Sequence, residues 1–249
     1  MIEQYPVLKD AEPFYFEGNR TGVLVSHGFT GTTQSMYPIG KAFADAGYTV
    51  YGPRLKGHGT APEDMEKCTY QDWIESIEEA YSWLEERCDT IFMCGLSMGG
   101  TLTLYSAAKY PLAGIILINA AVDVPAMNAD QEVRFIDAIG SDIKKTGVAE
   151  LAYDRTPVKS IGEIKQLMKE TKANLGKVTC PALIFVSEED HVVPPDNSQI
   201  ILDRIASEQK EIITMKESYH VATLDNDQGI IIEKSLNALK SWWETDKSR

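Results

Sequence analysis

The chain has 249 residues, of which 43% are apolar and 24% are charged, and its formal net charge is −13. This length fits one large α/β domain or two small ones, and it allows a sizeable core. The acidic balance argues against nucleic acid and anionic membrane surfaces as partners, because either would require a basic footprint. No stretch approaches the roughly 20 apolar residues that span a bilayer, so no stable membrane insertion is expected.

The start of the chain and its cysteines predict the compartment. Residues 1–10 lack both a basic segment and an apolar segment, so no secretory signal is expected. The four cysteines show no CxxC spacing and only four histidines are present, so neither a zinc cluster nor any other metal site is expected. These features together favour a reduced, cytoplasmic location.

Short apolar, β-branched runs alternate with helical patterns along the chain. This alternation predicts an α/β fold with a mainly parallel β-sheet flanked by helices. The runs at 114–118 and 182–186 are apolar throughout, which is typical of strands covered on both faces. The predicted strands are 13–16, 22–26, 48–51, 90–94, 114–118, 182–186 and 211–215.

Two helices are predicted from apolar residues that recur every three to four positions. Core packing explains both apolar stripes better than a functional role does. The first stripe consists of Trp73, Ile77, Ala80, Tyr81 and Leu84, and the second of Ile232, Leu236, Leu239 and Trp243.

The alternation of strands and helices breaks between Ala121 and Val178, where no strand pattern is visible. A structureless loop of about sixty residues is rare in a compact domain. The segment carries a helical stripe instead, formed by Ile161, Ile164, Met168 and Leu175. We interpret residues 122–178 as a helical cap inserted into a single domain that spans residues 1–249.

The hexapeptide Gly95-Leu-Ser-Met-Gly-Gly100 lies between a predicted strand and a predicted helix, and it fits the Gly-x-Ser-x-Gly pattern. Such a tight turn strains the middle residue and exposes its hydroxyl at a helix N-terminus. The alternative is a glycine-rich turn that binds phosphate, but a lysine after the glycines and a G-x-G-x-x-G pattern are both missing. We therefore predict that Ser97 is a nucleophile.

A serine nucleophile needs a histidine base, which a carboxylate in turn orients. In the chain order Ser–Asp–His, both partners follow Ser97 on loops at the carboxyl ends of later strands. Asp190 comes four residues after the strand at 182–186, and His220 follows the strand at 211–215. We predict that Asp190 is the acid and His220 the base.

Neighbouring residues offer alternatives to this assignment. Glu188 and Glu189 lie nearer the strand end and remain candidates for the acid. His191 adjoins Asp190 but lies on the loop of the acid, before the last strand. Asp225 follows His220, and we expect it to be a solvated residue at the start of a helix.

Acyl transfer also needs two donors for the developing oxyanion. We predict the backbone N–H of Met98, which follows the nucleophile, and that of Phe29 in the loop His27-Gly-Phe-Thr-Gly31. The glycines are expected to let this loop turn an N–H inward, and the Phe29 ring is free to line an acyl pocket. His27 and His58 are expected to brace their turns by hydrogen bonding.

These residues together resemble the α/β-hydrolases, and the resemblance covers nearly the whole chain. Within that superfamily the chain is similar to small bacterial carboxylesterases and monoacylglycerol lipases. The matching stretches are His27-Gly-Phe-Thr-Gly31, Pro53-Arg-Leu-Lys-Gly-His-Gly59, Asp72-Trp73, Gly95-Leu-Ser-Met-Gly-Gly100, Ile118-Asn-Ala-Ala121, Ser187-Glu-Glu-Asp-His-Val-Val-Pro194 and Tyr219-His-Val-Ala-Thr-Leu-Asp225.

The resemblance implies a serine hydrolase that cleaves monoacylglycerols and other acyl monoesters through an acyl-enzyme, without a cofactor. It implies Ser97, Asp190 and His220 as triad, a helical cap over an acyl tunnel, Ile139 along that tunnel and Glu150 near the glycerol hydroxyls. The oxyanion donors that it implies are Phe29 and Met98.

Several alternatives stay open on the same triad. They are a carboxylesterase with a different or broader ester preference, an amide hydrolase and a C–C hydrolase, because the pocket rather than the fold decides the reaction. A non-catalytic binding module is disfavoured, since all three members of the triad are present. An apolar wall for the substrate could come from Tyr37, Phe135, Ile136, Ile139 and Met168, of which Phe135 and Ile136 are better explained as core residues of the cap. The expected partner is a small-molecule ester, and the expected assembly is a monomer or homodimer.

Overall fold

A computed structural model describes residues 2–138 and 140–246. All seven strands predicted from the sequence are found, and they form one sheet. Two further strands, β6 and β7, form a small separate sheet. The strands are β1 (Phe14–Phe16), β2 (Thr21–Ser26), β3 (Thr49–Gly52), β4 (Thr90–Leu96), β5 (Gly114–Ile118), β6 (Phe135–Asp137), β7 (Arg155–Pro157), β8 (Ala182–Ser187) and β9 (Lys210–Met215).

The main sheet is parallel except at one edge. Its order is β1-β3-β2-β4-β5-β8-β9, and only β1 runs antiparallel to its neighbour. Helices connect its strands, which confirms the predicted α/β class. They are α1 (Tyr37–Asp45), α2 (Pro62–Met65), α3 (Tyr70–Glu85), α4 (Met98–Ala107), α5 (Val158–Asn174), α6 (Asp196–Arg204) and α7 (Gln228–Asp246).

The central strands bury their side chains on both faces of the sheet. In β4, Ile91 and Met93 face one core together with α3, α4 and α5, whereas Phe92 and Cys94 face the other together with α1 and α7. Strands covered on both faces read as continuous apolar runs, and this is why the sequence predicts them well. The predicted apolar stripe of α3 is also confirmed, since all five of its residues are buried.

In α7, the last helix, the buried face is displaced by about one residue from the predicted apolar stripe. Gly114 lets this helix approach β5, because a Cβ at that position would lie 2.4 Å from the Trp242 ring. The fully buried apolar residues are Ile231, Leu239 and Trp242, whereas Ile232, Leu236 and Trp243 are only partly buried.

The segment between β5 and β8 contains strand structure that the sequence pattern missed. Strands β6 and β7 pair antiparallel, with Ile136 opposite Thr156. Each strand has three residues, which is too short to produce a recognisable alternation. The guanidinium groups of Arg134 and Arg155 both lie over the Phe135 ring, at 4.8 and 4.6 Å from its centroid. The segment is therefore a mixture of a short hairpin and the helix α5.

No helix in the described ranges 2–138 and 140–246 is both long and apolar enough to cross a bilayer.

Candidate active site

Ser97 lies in the turn between β4 and α4, and its backbone has φ 57° and ψ −119°. This is a strained conformation for a residue with a Cβ. A side chain at either neighbouring glycine would clash with the backbone. A Cβ at Gly95 would lie 2.1 Å from the carbonyl oxygen of Gly99, and one at Gly99 would lie 2.2 Å from that of Ser26. The strand–turn–helix context predicted for the motif is confirmed.

His220 and Asp190 form a buried pair. His220 Nδ1 lies 2.8 Å from Asp190 Oδ2, and the two side chains are 8% and 1% exposed. Burial lowers the pKa of His220, but the hydrogen bond and charge of Asp190 outweigh it, so the pKa is raised above its usual value. Because an ionised carboxylate only accepts, Nδ1 carries the proton and Nε2 of the neutral ring is left as an acceptor.

The same carboxylate is fixed by its own loop. Asp190 Oδ1 accepts the backbone N–H groups of Val192 and Val193, both at 2.8 Å. Glu188 and Glu189, the alternative acids, are exposed. Asp190 is therefore the carboxylate that the structure pairs with His220.

Asp225 contradicts the expectation of a solvated helix start. Its side chain is buried, and it accepts the backbone N–H groups of Lys144, Lys145, Tyr219 and Asn226. The segment between β5 and β8 folds back onto this carboxylate, which no local pattern reveals. Asp225 thereby ties that segment to the loop that carries His220.

The loop after β2 differs in detail from the prediction. Its residue with positive φ is Thr30, at 63°, whereas neither Gly28 nor Gly31 has a positive φ. The glycines instead permit close approach, since a Cβ at Gly28 would lie 3.2 Å from Ser97 Cβ and one at Gly31 would lie 2.4 Å from Glu150 Oε1.

The two predicted oxyanion donors belong to the loop after β2 and to the first turn of α4. Phe29 lines the same cavity as Ser97, and its ring also packs edge-on against Trp73, with the centroids 5.9 Å apart. Met98 is the first residue of α4, so its N–H is one of the four that have no partner within the helix. The donor roles themselves stay a prediction.

His27 and His58 brace the two loops beside the site. The Nε2 atom of His27 accepts the N–H of Leu55 at 3.2 Å, so Nδ1 donates to the carbonyl of Gly28 at 3.0 Å. Burial lowers the pKa of His27 to about 4 and that of His58 well below its usual value. Both rings are therefore neutral. The hydrogen bonds of His27, and that of His58 Nδ1 with the carbonyl of Lys56 at 3.2 Å, agree with the predicted bracing of the two turns.

His191 is mostly exposed, with 60% of its side chain accessible. Its Nδ1 lies 2.8 Å from Asp142 Oδ1, and this hydrogen bond raises its pKa. His191 also lines the cavity, but its hydrogen-bond partner is Asp142 and not Ser97.

A cavity of about 330 Å³ opens onto Ser97 and His220. Glu150 also lines it, and burial raises the pKa of this carboxyl to about 7. Ile139, predicted to lie along the tunnel, falls outside the described residues. The apolar lining comes from both the main sheet and the segment between β5 and β8, and it includes Phe29, Leu96, Val124, Met127, Ile136, Ile161, Val192 and Val221.

Most of the suggested apolar wall lies elsewhere. Tyr37 is 45% exposed and packs against Phe14, and Met168 is buried in the core that α3, α4 and α5 share. Phe135 packs against two arginines, as described above. Among the described residues of that set, Ile136 alone lines the cavity.

The sequence assigns no role to two polar residues that the structure places at the site. Asn119 follows β5 with φ 45°, and its side-chain amide donates to the carbonyl of His220 at 2.8 Å. Asp142 accepts the backbone N–H of His220 at 3.1 Å. Asn119 lies in the stretch 118–121 that matches the family and directly follows an apolar strand, which is a signal for it. No spacing rule places Asp142 beside His220.

Comparison with known proteins gives consistent similarities. The family model described as serine aminopeptidase, S33, matches residues 18–153 and 141–227. A thermostable monoacylglycerol lipase of Bacillus sp. (strain H-257) is 58% identical over 242 residues, which cover 95% of this chain and 97% of that protein. A carboxylesterase of Bacillus subtilis (strain 168) is 26% identical over 231 residues, which cover 88% of this chain and 92% of that protein.

A solved structure described with LipS and LipT, two metagenome-derived lipolytic enzymes, is 50% identical to this chain, with a TM-score of 0.93. The match covers 95% of this chain and 100% of that one. The similarity therefore extends over the sheet, the candidate site and the segment between β5 and β8.

Proposed function

This chain belongs to the serine aminopeptidase S33 family, and we propose that it is a carboxylic ester hydrolase that cleaves monoacylglycerols to a fatty acid and glycerol. One observation supports the reaction type above all: Ser97 and His220 line one cavity, and His220 is hydrogen-bonded to the buried carboxylate of Asp190. The substrate class follows from the 58% identity to a monoacylglycerol lipase.

In the proposed mechanism His220 Nε2 takes the proton of Ser97 as Oγ attacks the ester carbonyl. The backbone N–H groups of Phe29 and Met98 stabilise the oxyanion. His220 then gives its proton to the leaving glycerol oxygen, and an acyl-enzyme remains on Ser97. Water repeats the two steps and releases the fatty acid, while Asp190 stabilises the imidazolium in each transition state.

Glu150 is proposed to hold the glycerol end. Its carboxyl lies on the wall of the cavity next to Gly31, and its pKa of about 7 leaves a part of it protonated at neutral pH. Such a group donates and accepts hydrogen bonds, which suits two alcohol hydroxyls. Ile139 keeps its proposed place along the acyl tunnel, by resemblance to the family.

We interpret residues 122–178 as a cap on one domain that spans 1–249. The cavity lies between this cap and the carboxyl ends of the sheet strands, because residues of both line it. Its volume of about 330 Å³ is at the low end of the range for ligand pockets, which is roughly 300–1,000 Å³. A substrate with one acyl chain fits such a space better than a triacylglycerol does.

A variant of the nucleophile tests the proposal. Ser97→Ala should lower kcat for a long-chain monoacylglycerol by about four orders of magnitude or more, and it should leave the fold intact by circular dichroism. A fluorophosphonate should label the wild-type protein on Ser97 and should not label the variant. Substantial hydrolysis by the variant would contradict the assignment.

An amide hydrolase is the second candidate. Two acidic residues, Asp137 and Glu150, line the cavity and could hold the ammonium group of an aminoacyl amide. Rates for a monoacylglycerol series, for di- and triacylglycerols and for an aminoacyl amide separate the two candidates. A kcat/KM higher for the amide than for every ester would favour the second.

We also propose a cytoplasmic location and a monomeric or homodimeric state. The location is supported by the cysteines, which form no disulfide in the part of the chain that the structure describes.

A further inference from the structure

The main chain of His220 is held by two side chains from different parts of the fold. On the cap side, Asp142 Oδ2 accepts the backbone N–H of His220 and that of His191, each at 3.1 Å. The other carboxylate oxygen faces His191 Nδ1 at 2.8 Å. The carbonyl of Asp142 accepts the N–H of Val221 at 3.0 Å, so the cap contacts consecutive residues of the loop that carries the base.

On the sheet side, Asn119 binds the other polar group of the His220 backbone, its carbonyl. Its Nδ2 donates to the carbonyl of His220 at 2.8 Å, and its Oδ1 accepts the N–H of Ser187 at 2.8 Å. Ser187 Oγ in turn donates to the carbonyl of Tyr219 at 2.8 Å. Asn119 is 2% exposed, so these bonds form away from water.

The backbone conformation of Asn119 and the burial of Asp142 restrict where the two side chains can lie. Asn119 has φ 45°, a left-handed conformation that asparagine tolerates better than most residues. Asp142 is only 13% exposed although it belongs to the cap. Hydrogen bonds that a charged carboxylate accepts from main-chain N–H groups are stronger than those between neutral groups. Both polar groups of the His220 backbone are thus fixed by side chains that do not touch the reacting atoms.

We propose that Asp142 and Asn119 are positioning residues that clamp the backbone of His220. Because Asp142 belongs to the cap, the position of the cap then determines where the imidazole ring of His220 lies relative to Ser97. The proposal rests on the role of His220 in the proposed function. A general base acts only within hydrogen-bond reach of its proton, and a misplacement of about 1 Å can cost about 100-fold in rate. The clamp couples the cap to the rate of the reaction, in addition to any contact of the cap with substrate.

The charge and the geometry of Asp142 can be separated. The acidic groups that face His220 are Asp190, Glu150 and Asp142, and each of them raises its pKa when it is ionised. His191 faces Asp142 from the other side. Asp142→Asn keeps an oxygen for both N–H groups but removes the charge, whereas Asp142→Ala removes both.

The test compares four variants with the wild-type protein: Asp142→Asn, Asp142→Ala, Asn119→Gly and the control Asp130→Asn. Glycine at 119 removes the amide without strain at positive φ. Asp130 is an exposed acid of the cap whose N–H binds Asn128 and which does not contact His220. The measurements are kcat and KM for a long-chain monoacylglycerol, the pH profile of kcat/KM and the rate of labelling by a fluorophosphonate.

We expect Asp142→Ala and Asn119→Gly to lower kcat and the labelling rate by about 10- to 100-fold, with KM changed less than threefold. Asp142→Asn should restore kcat to within about threefold of wild type. It should also move the acid limb of the pH profile to lower pH by about half a unit, because His220 loses a neighbouring negative charge. Asp130→Asn should match the wild type throughout.

Three results would overturn the clamp. They are wild-type kcat and labelling in Asp142→Ala, a loss in KM alone, and an Asp142→Asn variant as slow as Asp142→Ala. If Asp142→Ala does not fold, Asn119→Gly decides by the same kcat and labelling criteria. Labelling needs no ester substrate. A wild-type protein that is labelled but does not cleave monoacylglycerols would refute the proposed substrate class, and the labelling rates of the variants would still decide whether the clamp exists.

Discussion

Glu150 is a carboxylic acid whose pKa is displaced by its place in the cavity. Burial raises the pKa from 4.5 to about 7, although the charge of His220 opposes the shift. Well below pH 4.5 the carboxyl is neutral in both the folded and the unfolded chain, so it contributes no pH dependence there. As the pH rises toward 7 the unfolded chain is ionised and the folded chain resists ionisation, so the wild-type protein loses stability.

Glu150→Gln should therefore stabilise the fold at high pH and not at low pH. We expect its free energy of unfolding to exceed that of the wild type by about 1–3 kcal/mol at pH 8 and by much less at pH 4.5. Urea unfolding at both pH values measures the difference. Glu189→Gln, which alters an exposed carboxylate, is the matched control. If the difference in free energy of unfolding between Glu150→Gln and the wild type does not change with pH, Glu150 ionises normally in the folded protein.

Residue roles could be read from the sequence where the chemistry dictates chain order and strand ends. Asp190 and His220 follow from the position of Ser97, because partners of a serine nucleophile must lie at the same edge of a parallel sheet. Asn119 and Asp142 could not be read in this way, since they act on a main chain that is about eighty or more residues away in sequence. The expectation that Asp225 is solvated was wrong for the same reason: two of its four N–H partners, those of Lys144 and Lys145, come from the distant cap.

At the scale of elements, the apolar runs that define β5 and β8 are predicted within one residue. Burial on both faces restricts these strands to apolar residues, so the apolar run marks the whole strand. The pair β6–β7 is different, because each strand has three residues and tertiary contacts such as those of Arg134 and Arg155 stabilise it. Short, half-exposed hairpins carry too few residues for a pattern to register.

Tyr153 joins the cap to both loops beside the site. Its hydroxyl donates to the carbonyl of Gly57 at 2.7 Å and accepts the N–H of Thr60 at 2.9 Å. Its own N–H donates to the carbonyl of Thr30 at 3.2 Å. The side chain is buried, so water cannot replace these bonds without rearrangement.

Tyr153→Phe should destabilise the fold, although it removes only one oxygen atom and leaves the ring in place. Loss of the hydroxyl leaves two buried main-chain groups without this partner, which costs about 1–3 kcal/mol in free energy of unfolding. Chemical denaturation measures the loss, and Tyr15→Phe, at a tyrosine that is 64% exposed, is the control. Equal stability of Tyr153→Phe and the wild type would mean that the cap does not depend on this contact.

At the scale of the whole molecule, the net charge of −13 affects where the enzyme can meet its substrate. A monoacylglycerol is neutral, so long-range forces neither attract nor repel it in solution. In vivo such amphiphiles partition into lipid surfaces, and an anionic surface repels a protein with a large negative charge. This repulsion is screened by salt, with a Debye length of about 30 Å at 0.01 M and about 8 Å at 0.15 M.

We therefore expect a dependence on lipid charge that disappears with salt. Monoacylglycerol held in vesicles with 30% anionic lipid should be cleaved several-fold more slowly than in zwitterionic vesicles at about 10 mM salt, and at the same rate at about 500 mM salt, because the Debye length then falls below the contact distance. A water-soluble p-nitrophenyl ester should show no salt dependence and serves as the control. Faster cleavage in the anionic vesicles at low salt would contradict the expectation, since it would require a local basic surface that attracts lipid in spite of the net charge.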